Sequence, residues 1–419
     1  MKTRKNKPEL RFPRYHEKWE KHIIENMFEF KNGLNKEKEF FGKGTPIINF
    51  RDVYNLTSIR KNDIQGLVSL SRKEIGNYSA HLGDVFFTRT SETINDIGMC
   101  ATLVEEIPNC VFSGFVLRAR PKNKKLYPLF TSYCFNIESI RKEIVTKSSF
   151  TTRALTSGTL LNKVMFSFPR DIEEQKKIAT FLYTIDEKLK IIKKKKALLE
   201  EYKKGIMQKI FSQKIRFKGD NGKEFSRWNK AKLDKVATKI NSGKTPLGGE
   251  RVYSESGILF IRSQNVIDNK LSFENATYIS DELNKTMKNS IVKPQDILLN
   301  ITGASLGRSC VVPSNFTIGN VNQHVCIIRI NESNNPYFIQ AYLSTKDGQN
   351  RLLSLQTGSG REGLNFHSIK NFQIDFPCLE EQTKIANFLT AIDQKINHCQ
   401  TQIELTTNWK KGLLQKMFC

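Results

Sequence analysis

Eight cysteines and six histidines are the residues of this 419-residue chain best able to hold a metal. The cysteines are Cys100, Cys110, Cys134, Cys310, Cys326, Cys378, Cys399 and Cys419, with no pair at CxxC spacing. The histidines (His16, His22, His81, His324, His367, His398) are scattered singly. Zinc needs thiolates and imidazoles brought together, usually in paired spacings, so no metal site is expected. A disulfide framework is equally unexpected in so long a chain without an apolar leader. The cysteines therefore read as small apolar core or seam residues. Nucleotide-loop signals fail on spacing. Gly243-Lys244-Thr245 ends like a phosphate-binding loop, but Thr238 stands where that loop requires glycine. Thr357-Gly358-Ser359-Gly360 lacks a strand and helix around it and reads as a flexible loop. Asn335-Pro336-Tyr337 lacks the second proline of the Asn-Pro-Pro-Tyr motif of amino-methyltransferases. No Ser/His/Asp spacing, carboxylate pair or glycine-rich loop for S-adenosylmethionine stands out. Catalytic, cofactor-binding and metal-ligating residues are expected to be absent.

What remains is recognition chemistry. Basic and amide side chains lie in stretches that read as loops: Arg51, Arg60 and Asn62, Arg89 and Arg153, then Lys244, Arg262, Gln264 and Asn265, Arg308 and Arg361. Arginine and lysine pair with guanine edges or phosphates, asparagine and glutamine with adenine edges. Lys plus Arg is 67 and Asp plus Glu 42, so the formal charge is +25. That charge favours a polyanion, nucleic acid, over the alternative of a coiled-coil scaffold whose heads bind proteins. A hydrophobic share of 38% is enough for packed cores and excludes wholesale disorder. No run approaches the roughly 18 apolar residues of a membrane span, and Met1 to Leu10 is polar and basic. The expected location is the cytoplasm.

The elements that position these residues are written twice. From Ile172 to Phe211 the sequence recurs gaplessly at an offset of 207, with 18 of 40 positions identical. Glu173-Glu174-Gln175, Lys177-Ile178-Ala179, Phe181-Leu182 and Ile185-Asp186 return as Glu380-Glu381-Gln382, Lys384-Ile385-Ala386, Phe388-Leu389 and Ile392-Asp393. Upstream the match is weaker. Trp19 matches Trp228, Gly44-Thr45-Pro46 resembles Gly257-Ile258-Leu259, and Gly83-Asp84-Val85 resembles Gln295-Asp296-Ile297. Arg153 and Arg361 each lie 15 residues before a Phe-Pro pair. The chain is a tandem duplication whose terminal segment stayed similar while the preceding part diverged.

The repeated segment has helical periodicity. Ile178, Ile185, Ile192, Leu199 and Ile206 recur every seven residues, beside Leu182, Leu189, Lys196, Lys203 and Ile210. The second copy places Ile385, Ile392 and Cys399 beside Leu389 and Ile396. Two such rows form a coiled-coil seam, and a helix of 40 residues is about 60 Å long. Glu173, Glu174, Glu380 and Glu381 suit the positive helix end. Lys193 to Lys196 read as a solvated face, while Lys196 and Lys203 fall on the seam, where a polar residue fixes register. Antiparallel packing would return the C-terminus to the first globular part and give a two-headed molecule with a helical ruler. The globular parts read as mixed α/β, with strands at Val85-Phe86-Phe87, Cys110-Val111-Phe112, Ile297-Leu298-Leu299 and Val325-Cys326-Ile327-Ile328.

With these residues in place, the chain resembles the specificity subunit of type I restriction-modification systems. The resemblance rests on Glu-Glu-Gln-x-Lys-Ile-Ala-x-Phe-Leu-x-x-Ile-Asp in both copies, Lys-Lys-Gly-x-x-Gln-Lys-x-Phe at both ends, and Gly83-Asp84-Val85. Gln295 stands where the family often has glycine. The resemblance implies an α+β fold: two pseudo-symmetric α/β target recognition domains separated by two long antiparallel helices. Residues 1–170 and 214–377 would be recognition domains, and 171–213 and 378–419 the spacer helices. Each domain would read half of a bipartite asymmetric double-stranded DNA target. The helices would dock two methyltransferase subunits, with Ile178, Leu182, Ile185, Leu189, Ile385, Leu389, Ile392 and Ile396 as seam and docking residues. S-adenosylmethionine, ATP and Mg2+ would belong to the methyltransferase and the two motor-nuclease subunits. An orphan or alternate specificity subunit is the variant reading within the family.

Overall fold

The computed structural model describes residues 7–150, 152–267, 269–356 and 363–419. They form two compact units, one of residues 1–193 with 401–419, the other of residues 194–400. The first unit thus contains the chain's C-terminal segment, as antiparallel connectivity requires.

Each unit is built around one antiparallel sheet with both faces covered. In the first, the order is Phe28–Asn32, Val116–Pro121, Val85–Thr88, Cys100–Leu103, Ser58–Ile59, the last strand joining in parallel. In the second it is Ala237–Ser242, Val325–Ile330, Ile297–Asn300, Ser309–Val311. Side chains alternate across a strand, so the apolar runs read from sequence feed two cores at once. Val85 and Phe87 face helical elements including Pro128–Cys134, while Phe86 packs with Ile48 and Phe112. Ile297 and Leu299 face Phe338 and Ile339, while Leu298 packs with Leu259 and Ile261. A smaller sheet lies on that second face, its central strand Phe41–Ile48 in one unit and Ile258–Ile261 in the other. Gly44 and Gly257 enter these strands at φ +104° and +124°. A Cβ there would meet the carbonyl oxygens of Val68 at 2.4 Å and Ile279 at 2.7 Å, so the weakly matching glycines occupy equivalent crowded corners.

The turn before each central strand is also shared. Gly83 and Gln295 have φ +92° and +66°, so the second unit keeps the left-handed turn without glycine. Asp84 and Asp296, both buried, accept two hydrogen bonds each from Arg120 (2.9 and 2.7 Å) and Arg329 (2.7 and 2.8 Å). They also accept the backbone N–H of His81 and Lys293. A buried carboxylate is tolerable only when so compensated.

The repeated segments are helices, Ile172–Phe211 and Leu379–Met417. Within each unit their portions run antiparallel, and a tryptophan marks the direction. Trp19 donates its indole N–H to Glu174 near the start of the first helix and packs edge-on against Phe418 just past the end of the second. Trp228 does the same between Glu381 and Phe211. Farther along, Asp186 pairs with Lys410 in one unit and Asp393 with Lys203 in the other. Lys203 on the seam therefore fixes the register of the chain's own helix pair.

Candidate nucleic-acid interface

In the first unit three loop tips meet at one end of the sheets. Strand Phe41–Ile48 runs parallel to Val111–Phe112, and the Ser113 N–H donates to the Ile48 carbonyl at 3.0 Å. Arg51, read from sequence as a loop residue, stands instead in the first turn of the short helix Phe50–Asn55, which Asn49 and Asp52 cap and which begins beside Gly114 and Phe115. Arg89, just past the central strand, donates Nη1 to the Gly114 carbonyl at 3.0 Å, and its own carbonyl accepts the Thr156 N–H. That bond ties in the hairpin Ser149–Phe150 and Ala154–Leu155, whose connection carries exposed Arg153. Arg51, Arg89 and Arg153 are thus brought to one surface, with Arg51 and Arg153 exposed and Arg89 half-buried.

The second unit repeats the plan with other side chains. The Asn322 N–H donates to the Ile261 carbonyl at 3.0 Å, which sets exposed Gln264 beside the Gln323 and His324 tip. Buried Asn300 donates to the Ser263 carbonyl at 2.9 Å, and its backbone N–H bonds the carbonyl of exposed Arg308. The Gly243 N–H bonds the Asn322 carbonyl and brings exposed Lys244 to the same end. Gln264, Arg308 and Lys244 therefore converge.

Two arginines named from sequence stand apart. Arg60 follows the edge strand Ser58–Ile59 at the sheet end opposite Arg89, and its guanidinium lies 5.0 Å from the Tyr183 ring of the long helix. Arg262 turns away from the tip, donating Nη2 to Thr277 Oγ1 at 2.6 Å beside the Tyr253 ring. Arg361 and the Thr357 to Gly360 loop lie outside the described residues. Asn335-Pro336-Tyr337 is a helix start: Asn335 caps Pro336–Leu343, and proline suits the first helical position.

On the helices, Ile178, Leu182, Ile185, Leu189, Ile385, Leu389 and Ile392 are buried within their units and Ile396 is half-buried. They hold the helix pairs to the heads, and any contact with another chain falls to their exposed neighbours. Lys193 to Lys195 are exposed, in keeping with a solvated face. Sequence reading missed the purpose of Glu174 and Glu381. The helix-end explanation suits exposed Glu173 and Glu380, but Glu174 and Glu381 are 1% and 0% exposed and bind Arg11 and Arg216 through paired hydrogen bonds. Gln175 and Gln382 next to them clamp backbone, accepting the N–H of Tyr127 and Asn335 and donating to the carbonyls of Pro169 and Pro377. The signal was there: Glu174 and Glu381 are identical in both copies at a position off the seam, and Gln175 and Gln382 are identical polar residues on it, seven before Leu182 and Leu389. Burial pushes the thiols of Cys100, Cys110, Cys310 and Cys326 up to about 12. Cys378, expected inside, is exposed, because it stands at the boundary between strand Gln373–Phe376 and the second helix. Among the described residues no cluster of metal-ligating side chains occurs, and no helix is long and apolar enough to cross a membrane.

A family model described as the type I restriction modification DNA specificity domain matches residues 16–201 and 226–407. A Methanocaldococcus jannaschii chain described as the MjaX type I restriction enzyme specificity subunit is 25% identical over 417 residues, covering 95% of this chain and 92% of the relative. The Escherichia coli EcoBI specificity subunit is 27% identical over 174 residues, covering 39% of this chain and 35% of its own. Among solved structures, the type I S subunit from M. genitalium superposes with a TM-score of 0.64 at 17% identity, covering 99% of both chains. A chain from a type I restriction-modification assembly gives 0.52 at 14% identity, covering 96% of this chain and 97% of the other.

Proposed function

We infer a function from one premise: this chain belongs to the type I restriction modification DNA specificity domain family, its two matches taking in both units. It is a DNA-recognition subunit. Each unit reads one half of a bipartite, asymmetric double-stranded target in the cytoplasm. The observation that carries this reading is the convergence, in both units, of basic or amide side chains, all exposed but half-buried Arg89, at the same end of the same paired sheets. Arg51, Arg89 and Arg153 would serve one half-site, and Lys244, Gln264 and Arg308 the other. Phosphate contacts would position each unit, and base-edge contacts would select sequence. The long helices would set the spacing between the half-sites and dock two methyltransferase subunits. A repeated exposed pair supports two equivalent docking sites. Leu198 and Tyr202 recur as Leu405 and Trp409, all more than half exposed. The methyltransferase subunits would use S-adenosylmethionine to methylate adenine, and two motor-nuclease subunits would use ATP and Mg2+ to cleave unmethylated DNA.

The test is methylome sequencing of a host without adenine methylation that carries this chain and its methyltransferase partner. A bipartite motif methylated in both halves, lost when this chain is omitted, is the expected result. Arg89→Ala should weaken one half-site and Arg308→Ala the other, with affinity falling as salt rises. Absence of any complex with the methyltransferase would overturn the reading. A stable DNA-binding complex that writes no motif would indicate an orphan subunit.

A further inference from the structure

The two units differ in character at one equivalent position of their loop tips. Val116 pairs with Thr88 and Val325 with Asn300, each at the end of the central strand, so the residues just before them, Phe115 and His324, occupy equivalent places on the loop tips. His324 is held by polar contacts, Nδ1 with Thr302 Oγ1 at 2.6 Å and Nε2 with Gln323 at 3.0 Å. Phe115 is 70% exposed. Its loop is nonetheless fixed, because Arg89 holds the adjacent Gly114 carbonyl and the Ser113 N–H is bonded to Ile48.

One exposed aromatic is ordinary on a protein surface, but Phe115 has company. Phe150 is 57% exposed on the hairpin that Arg89 ties in, and Leu155 on the same hairpin is also exposed. These apolar side chains share that end of the sheets with Arg51, Arg89 and Arg153. Burying the rings in a protein core would not explain that mixture. A polyanion with an apolar feature in its groove does: the C5-methyl of thymine stands in the major groove among hydrogen-bonding groups, and phenylalanine is one of the side chains that contact it.

We propose that Phe115 is a specificity-determining residue of the first unit and reads a thymine methyl in its half-site, whereas His324 at the equivalent place has both ring nitrogens engaged by Thr302 and Gln323. The proposal rests on the DNA-recognition reading and assigns one position within it. The two units then use one scaffold with an apolar reader at this place in the first and a ring tied into its own loop in the second.

The experiment uses the full chain in complex with its methyltransferase subunit and duplexes carrying the methylome-defined target. Each thymine of both half-sites is replaced in turn by deoxyuridine, which removes only the methyl. One replacement in the half-site of the first unit should weaken binding about fourfold, the scale of one buried methyl group. Phe115→Ala should bind both duplexes equally, and its methylome motif should relax at that position alone. Phe115→Leu should keep part of the discrimination, and serves if the alanine variant does not fold. Wild-type protein indifferent to every methyl in that half-site, or a Phe115→Ala variant with the wild-type deoxyuridine profile and motif, would overturn the proposal while leaving DNA recognition intact. Wild-type complex with no sequence preference would overturn the recognition reading itself.

Discussion

The two units share their buried charges and differ in their exposed tips. Both sink a glutamate at the start of a long helix onto an arginine and a tryptophan, Glu174 with Arg11 and Trp19, Glu381 with Arg216 and Trp228. Both place an aspartate before the central strand and answer it with an arginine. The loop tips follow no such rule: the place of Arg51 in one unit is taken by Gln264 in the other, and that of Phe115 by His324. Removing one member of a buried pair leaves a naked charge, so a change there destabilises the unit at once. An exposed tip side chain such as Arg51, Gln264 or Phe115 is surrounded by water, so its replacement leaves no buried charge behind. Through the divergence of the globular parts, these buried pairs were kept while the tips changed.

Breaking the helix seam should have the largest effect. Ile185 and Ile392 are each 5% exposed, in the first and second unit respectively. An aspartate at either would bury an unpaired charge, at a cost of several kcal/mol. Ile185→Asp should abolish hydrogen-exchange protection in the first unit and Ile392→Asp in the second. The double variant should lose co-purification with the methyltransferase subunit. Retained protection would mean the seam is not what holds each unit.

Next in size is the buried clamp. Arg216→Ala leaves Glu381 buried without its cation and should cost about 3–5 kcal/mol in the second unit. Arg11→Ala should do the same to the first. Limited proteolysis would show whether each variant opens its own unit alone. Equal damage to both from either variant would make the clamp a property of the whole chain.

A smaller effect, of opposite sign, is expected at the turn. Gln295 holds φ +66° where Gly83 holds +92°. A left-handed conformation costs a side-chain-bearing residue about 1–2 kcal/mol, partly offset by the added freedom of glycine in the unfolded chain. Gln295→Gly should therefore raise the melting temperature slightly and Gly83→Ala should lower it. The least disruptive probe is a thiol reagent. Burial raises the Cys100, Cys110, Cys310 and Cys326 thiols to about 12, so near neutral pH they stay protonated and shielded. Exposed Cys378 should label first in the native protein. Early labelling of Cys100 would mark local opening of the first unit's sheet, and of Cys310 or Cys326 that of the second.

The helices and central strands were legible because each is a local pattern. A seven-residue repeat at Ile178, Ile185 and Ile192 needs only a helix to make one face, and Ile297-Leu298-Leu299 needs only a strand to feed two cores. The candidate site was legible in residue type and less so in direction. Arg51, Arg89 and Arg308 lie at the converging tips, yet Arg60 sits against Tyr183 and Arg262 is spent on Thr277. A side chain's direction depends on what chain elsewhere offers it, and Thr277 and Tyr183 lie far from those arginines in sequence.

By itself the sequence determined the duplication, the helical seam, the α/β character of the heads and the excess of positive charge. All of these follow from composition and from periodicities that one segment expresses alone. Only the tertiary structure decided that Glu174 and Glu381 are anchors, that Lys203 and Lys410 lock the helix register onto Asp393 and Asp186, and that Phe115 and His324 stand at the same place. Each of these joins residues distant in the chain. Burial, charge compensation and strand register exist only once those segments meet.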